Sequence, residues 1–316
     1  MPVPLHTQTV IAFIWDFDKT LIPGNMQAPL FDEYGVDPAE FWAEVEGLAE
    51  YYERQKIVIS RDTAYLGHIL TYVREGIFEG LSNAKLRKLG AELVPCPGIP
   101  EFFEATRRRI AEVPEFSHEG ITVEHYVVST GLRSMIEGSV LADKIDGIWA
   151  NSFIEVPAPP RYLERLPVVN DSSVITQLGY TVDNTTKTRS VFEINKGVNR
   201  NPSVDVNARM SADQRRVPIR NMLYIADGPS DVPVFSILNQ RGGKTLGVYQ
   251  AGERSNFSKV KQLQEQGRVQ GLAEADYRPG AAAYLWLMDS MEQIATEIVE
   301  NRRIAFSQIP NPPGHG

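Results

Sequence analysis

Short apolar runs alternate along this chain with stretches whose apolar residues recur every three or four positions. Residues 10–15 and 221–226 are near-continuous apolar runs, and 121–128 becomes one toward its end. Each is too short to span a membrane and suits a strand buried on both faces. A short run at Ile148-Trp149 and residues 244–249 complete the predicted main strands. Helical spacing is predicted over 100–111, 132–141 and 188–196, and again around Val234, Ile237 and Leu238. The clearest amphipathic stripe, Leu287, Met291, Ile294 and Ile298, lies in 281–304. Strands alternating with helices predict an α/β fold with a doubly wound parallel sheet.

Residues 26–94 break that alternation. Asp37-Pro38-Ala39-Glu40 reads as an N-cap, a first-turn proline and an N3 glutamate ahead of Phe41, Val45, Leu48 and Tyr52. Ser60 is the expected cap of a second helix with Tyr65, Ile69 and Tyr72, and Ser82 of a third ended by Gly90. Only Ile57-Val58-Ile59 is strand-like there. The block is read as a helical module inserted after the first strand, rejoining the core at the rigid joint 95–100 (PCPGIP). Further on, 174–181 is a candidate edge strand and 198–217 a polar surface excursion. Residues 1–9 read as a loose lead-in, and 308–316, rich in proline and glycine, as a disordered tail.

A net charge of −8 argues against a general nucleic-acid binder. The one tight basic run, Arg107-Arg108-Arg109, falls on the solvent side of a helical pattern. No signal peptide or membrane span is visible, and a single cysteine, Cys96, allows no internal disulfide, so a cytoplasmic protein is expected. Cys96 lies between two prolines and reads as structural. The histidines show no metal-ligand spacing, and His125 falls within a strand. Gly242-Gly243-Lys244-Thr245 resembles the end of a phosphate-binding loop. The full pattern needs glycine where Leu238 stands, so a turn is the better reading.

The chemistry-bearing residues sit where strands are predicted to end. Asp16 and Asp18 follow the first strand, Ser129 and Thr130 the second, and Asp227 and Asp231 the run at 221–226. Ligands bind beyond the C-terminal strand ends in doubly wound sheets. Two carboxylates two residues apart point the same way on an extended chain, an arrangement that calls for a cation or a shared proton. The plainer readings are a polar loop at 16–18, a tight turn with an N-cap at 227–231, and an N-cap serine at 129.

Taken together and in order, Asp16-Phe17-Asp18-Lys19-Thr20, Val127-Val128-Ser129-Thr130, a lysine before a helix, and Tyr224-Ile225-Ala226-Asp227-Gly228-Pro229-Ser230-Asp231 resemble the haloacid dehalogenase (HAD) superfamily. The likeness is to its phosphatase branch, which includes phosphoserine phosphatase. It covers residues 10 to about 250. It implies a HAD-like Rossmannoid core over 1–23 and 96–316 with an inserted helical cap domain over 24–95. Asp16 would be the nucleophile, forming an aspartyl-phosphate, and Asp18 the acid and then the base. Dehalogenases of the superfamily lack the second aspartate, so phosphate chemistry is favoured over halide displacement. Asp227 would bind Mg²⁺ with Asp16 and the main-chain carbonyl of Asp18, and Asp231 would support the metal water or the lysine. Ser129 and Thr130 would bind the phosphate. Lys187, at a helix start, is preferred over Lys196, at the same helix's end, as the phosphate-binding lysine.

The implied partner is a small phosphorylated substrate, with no nucleic acid or membrane. Related phosphoserine phosphatases place a carboxylate soon after the first motif to meet the substrate's ammonium. The ungapped equivalent here is Asn25, which loses that ion pair. Asn25, with Met26 and Gln27, is a candidate substrate contact where the chain enters the cap, and Arg133 a candidate anion contact. The expected activity is Mg²⁺-dependent phosphomonoester hydrolysis. The alternatives are a phosphotransferase or mutase of the same superfamily, or a non-catalytic phosphate-ligand-binding regulator.

Overall fold

Alternation along β1 (Val10–Trp15) sets the architecture. Ile11, Phe13 and Trp15 enter one apolar layer, Ala12 and Ile14 the other, and all five are fully buried. A strand buried on both faces needs helices on both. The computed structural model describes residues 7–164 and 173–307. After β1 come α1 (Ala28–Tyr34), α2 (Pro38–Glu53), α3 (Ala64–Arg74) and α4 (Asn83–Gly90). Then follow α5 (Glu101–Glu112), α6 (Pro114–His118), β2 (Thr122–Leu132), α7 (Arg133–Gly138), β3 (Gly147–Asn151), β4 (Phe153–Ile154) and β5 (Gln177–Leu178). The chain continues through α8 (Lys187–Lys196), β6 (Met222–Ala226), α9 (Val232–Gln240), β7 (Lys244–Tyr249), α10 (Arg254–Glu265), β8 (Gly271–Glu274) and α11 (Ala282–Ser307).

The main sheet is six-stranded in the order β3-β2-β1-β6-β7-β8, with every pairing parallel. Phe102, Phe103 and Ile110 of α5 and Leu287, Met291 and Ile294 of α11 cover one face. Val191 and Ile194 of α8 and Val234, Phe235 and Leu238 of α9 cover the other. The predicted doubly wound α/β sheet is therefore the observed one. Trp15 is level with Val127 on β2 and with Ile225 on β6, so three central strands end side by side. From β1 the sheet grows to β2 on one side and to β6 on the other, which opens a crevice at their C-terminal ends.

Helices α1–α4 fill the connection after β1. Their apolar residues Phe31, Phe41, Tyr65, Leu66, Ile69 and Phe78 belong to the same buried cluster as Trp15 and Phe102. The Asp37 carboxylate caps α2, accepting from Ala39 N at 2.7 Å, and Ser82 Oγ caps α4, accepting from Lys85 N at 3.1 Å. α4 packs backbone to backbone on α7: a Cβ on Gly90 would sit 2.1 Å from the Met135 carbonyl oxygen.

Several local expectations need correction. Ser60 does not cap α3, which starts at Ala64, and Ile57-Val58-Ile59 forms no strand; Val58 is almost fully exposed. The strand expected over 174–181 shrinks to β5, which pairs antiparallel with β4 outside the main sheet. β2 does not stop at Val128 but runs on to Leu132. α10 and β8 were not anticipated. The tail at 308–316 and residues 1–6 of the lead-in lie outside the described residues. Among the described residues no helix is long and apolar enough to cross a membrane.

His125 and Cys96 are packed as core residues. Trp15 Nε1 donates to His125 Nδ1 at 3.2 Å, and Thr106 Oγ1 lies 2.9 Å from Nε2. The Trp15 bond places the imidazole proton on Nε2. Burial holds this histidine neutral, well below its ordinary titration range. Cys96 is buried, and burial pushes its thiol up to about 11.

Candidate active site

β1 carries no polar side chain until it leaves the sheet. The first residue beyond it is Asp16, whose N–H still bonds Ile225 O at 2.9 Å. The chain then turns back sharply. Phe17 O accepts from the N–H groups of Leu21 and Ile22 at 2.9 and 3.2 Å, and Lys19 takes a left-handed φ of 55°. This loop ends at Met26, whose N–H donates to Asp18 Oδ1 at 2.9 Å.

Lys187, the first residue of α8, reaches the loop. It is 1% exposed, and its Nζ donates to Asp16 Oδ1 at 3.0 Å and to Asp231 Oδ1 at 2.7 Å. Asp231 is itself fully buried and also accepts from Tyr224 OH at 2.5 Å and Ser230 Oγ at 2.7 Å. Oxygen atoms of Asp16, Asp227 and Asp231 lie within 4.8 Å of one another. Asp227 is half-buried and takes a long bond from Asn256 Nδ2 at 3.4 Å.

Charge in this cluster is unbalanced. Burial pushes the Asp16 carboxyl well above the ordinary carboxylate range; Lys187 opposes the shift, while Asp231, Asp227 and Asp18 add to it. Asp18 is pushed up to about 7, mainly by burial, against the Met26 N–H and with help from Asp227. Asp227 is pushed up to about 6 by burial and by Asp231. Burial works against the Lys187 ammonium, but Asp16 and Asp231 more than offset it and hold its proton firmly. Four carboxylates set against the Lys187 and Lys19 ammonium groups, all with oxygen donors, fit a hard divalent cation such as Mg²⁺. Asp16 and Asp227 have the less engaged oxygens, whereas both oxygens of Asp231 accept hydrogen bonds.

On β2, Ser129 is 1% exposed, and its Oγ accepts from Gly131 N at 2.9 Å. That bond uses the oxygen and leaves the hydroxyl proton available to a ligand. Gly131 packs closely on Met26: a Cβ there would sit 2.2 Å from Met26 Cε. Met26 Sδ also accepts from Leu132 N at 2.9 Å. Met26 thus joins the first acidic loop to the Ser129 turn. The Thr130 carbonyl accepts from Tyr65 OH on α3 at 2.5 Å and from Asn151 Nδ2 on β3.

The structure brings Asp16, Asp18, Asp227, Asp231 and Lys187 together, and the strand register puts Ser129 and Thr130 at the same end of the sheet. Arg133 and Lys196 are engaged elsewhere. Arg133 donates to Glu137 Oε1 at 2.6 Å and to Ile148 O at 3.1 Å. Asn25 is exposed, while its neighbours Met26 and Gln27 are buried. Lys196 donates to the Val206 and Ala208 carbonyls, fastening the 198–217 excursion. Sequence reasoning overlooked Tyr224, Asn256, Asn151 and the contact of Tyr65 with Thr130. Tyr224 and Tyr65 follow ordinary core periodicity, and no local pattern marks the asparagines.

The parallel sheet and its covering helices recur in solved structures. A probable phosphoserine phosphatase of Vibrio cholerae, in its unliganded form, aligns over 93% of this chain and 68% of its own with a TM-score of 0.50 and 13% identity. A HAD family hydrolase of Salmonella enterica subsp. enterica serovar Typhi aligns over 86% of this chain and 68% of its own, with a TM-score of 0.48 and 12% identity. At such identities the likeness is one of fold. No family model matches the sequence. The chain belongs to one family with an uncharacterized protein of Borreliella burgdorferi, 40% identical over 289 residues that make up 90% of this chain and 97% of that protein.

Proposed function

We propose that this chain is a Mg²⁺-dependent phosphomonoester hydrolase acting on a small phosphorylated metabolite through an aspartyl-phosphate on Asp16. The observation that carries the reading is the buried Lys187 ammonium held between Asp16 and Asp231 beside Asp227. A cation fixed there serves a site that handles further negative charge. Lys187 binds one Asp16 oxygen and leaves the other to attack phosphorus. As the P–O bond to the leaving group breaks, Asp18 gives its proton to the departing alkoxide. A carboxyl pushed up to about 7 still carries that proton near neutrality. Asp18 then takes a proton from the water that cleaves the aspartyl-phosphate, which returns both carboxyls to their starting states. The Ser129 hydroxyl donates to a phosphoryl oxygen. Mg²⁺, when bound, neutralises phosphoryl and carboxylate charge; Asp16, Asp227 and the Asp18 carbonyl would hold it.

We further infer that residues 24–95 act as the cap over this site, contributing Met26 and Tyr65 to its wall, with the rest of the chain as the core. Substrate identity would then rest on the cap. The test is turnover of a panel of phosphorylated metabolites and an aryl phosphate, with Mg²⁺ and with EDTA. Asp16→Asn is expected to lower hydrolysis by at least roughly 10³-fold while keeping the circular dichroism spectrum. Full activity of that variant overturns the nucleophile assignment. Analysis for inorganic phosphate against an isomerised ester separates hydrolysis from a mutase reaction.

A further inference from the structure

The end of the sheet opposite Asp16 carries a second feature. A cavity of about 270 Å³ opens there, lined by Asn195, Arg215, Pro218, Ile219, Arg220 and Arg241. Asn195 stands eight residues after Lys187 on α8, roughly 12 Å along the helix axis from it. Three arginines line one small cavity in a chain whose net charge is −8.

These arginines lack the partners that arginines nearby have. Arg216, next in sequence, forks onto Glu124, and Arg189 pairs with Glu193 at 2.8 Å. Among the described residues none of the three forms an ion pair. Arg215 donates to Asn195 Oδ1 at 2.9 Å and loosely to Met210 O at 3.4 Å, while its Nε is buried without an acceptor. Arg241 lies over the Phe192 ring at 5.7 Å, and Arg220 is exposed. A buried guanidinium N–H without an acceptor is costly, and like charges around one cavity repel. An oxyanion in the cavity relieves the repulsion, and its geometry matches the guanidinium fork.

We propose that this cavity binds a phosphoryl-type anion, either free phosphate or the phosphate group of a small ester. Arg215 supplies the inner positive charge, its guanidinium held by Asn195. Arg220 and Arg241 close on the anion from the rim. The site is separate from the Asp16 cluster, and its occupancy requires neither metal nor turnover.

Calorimetric titration in EDTA at low salt tests this, with inorganic phosphate in one arm and adenosine monophosphate in the other. EDTA removes any metal from the catalytic end, where the carboxylates repel phosphate. Binding of inorganic phosphate assigns the free ion, and binding of the monophosphate alone assigns the ester. In either case Arg220→Ala/Arg241→Ala should weaken affinity roughly tenfold or more, with unchanged thermal melting because both residues are at the surface. Ser129→Ala should retain the affinity. Unchanged affinity in the double variant, loss of affinity in Ser129→Ala alone, or no binding of either anion overturns the proposal. Because no step depends on catalysis, failure here is distinguishable from failure of the phosphatase reading.

Discussion

The two ends of α8 hold lysines of opposite character. Lys187 and Lys196 are both largely buried, nine residues apart on one helix, and each satisfies its ammonium with oxygen. Lys187 meets two carboxylates, and Lys196 meets two main-chain carbonyls. Carbonyls carry no net charge and have no ionisation of their own to alter, so Lys196 serves as a clip for the 198–217 excursion. Carboxylates respond to the ammonium, and several crowded together respond to one another. The comparison teaches that burial of a lysine is not the mark of a site. The mark is burial beside an excess of the opposite charge.

Neutralising each lysine separates the two roles. Lys187→Met should lower kcat roughly 10²-fold or more, the scale for losing one preorganised charge contact. It should also cost about 3 kcal/mol of stability in EDTA, because Asp16 and Asp231 remain buried without their cation. Lys196→Met should cost roughly 1–2 kcal/mol, the scale for orphaned carbonyls, and leave kcat within about twofold. Urea unfolding and steady-state kinetics on both variants check the pair. If Lys196→Met carries the larger catalytic loss, the assignments of the two helix ends are reversed.

Metal removal probes the same imbalance through pH. Asp18 and Asp227, pushed up to about 7 and about 6, hold protons in the folded chain where the unfolded chain, near 3.8, has lost them. The folded state therefore binds more protons between about 4 and 7, and the share of stability from these groups falls as pH rises through that window. His125 acts in the opposite direction. It is held neutral when folded, so its share is present above its ordinary 6.5 and is lost as pH falls below it. Both trends are present without metal. Mg²⁺ competes only with protons on the carboxylates that would hold it, Asp16 and Asp227. The melting difference between Mg²⁺ and EDTA should therefore widen from pH 5 to pH 8, while the His125 contribution cancels. A pH-independent difference would remove Asp227 from the metal centre.

Much of the fold was legible because strands buried on both faces leave continuous apolar runs, as at Val10–Trp15 and Met222–Ala226. β8 is four residues long and α10 has few apolar positions, so neither stands out against its polar surroundings. Asn256 lies in that unread stretch. The start of α3 was misplaced because Ser60 looks like a cap, whereas the helix begins at Ala64 with no side-chain cap at all. At the site, residue types at strand ends were readable, but their partners were not. Nothing local indicates that Met26 rather than Asn25 turns inward, since that follows from the tight loop at 16–26 and its contact with Gly131.

The smallest expected effect concerns where the helical segment touches the Ser129 turn. Tyr65 OH donates to Thr130 O at 2.5 Å and accepts from Asn151 Nδ2 at 3.2 Å. Removing the hydroxyl in Tyr65→Phe leaves the ring in place and does not orphan the carbonyl, because Asn151 still donates to it. The loss is that of one hydrogen bond, about 1 kcal/mol. If the bond only packs α3, that loss appears in unfolding and not in kinetics. If it fixes the turn that carries Ser129, kcat/KM for an aryl phosphate should fall about fivefold with melting little changed, the same energy now spent on orienting a phosphate contact. Asn151→Ala should then be the more severe variant, because Asn151 Oδ1 also accepts from Val182 N at 2.6 Å and ties the turn to the segment leading into α8. Kinetics that ignore Tyr65→Phe but respond to Asn151→Ala would place control of the turn in the sheet rather than in the helical segment.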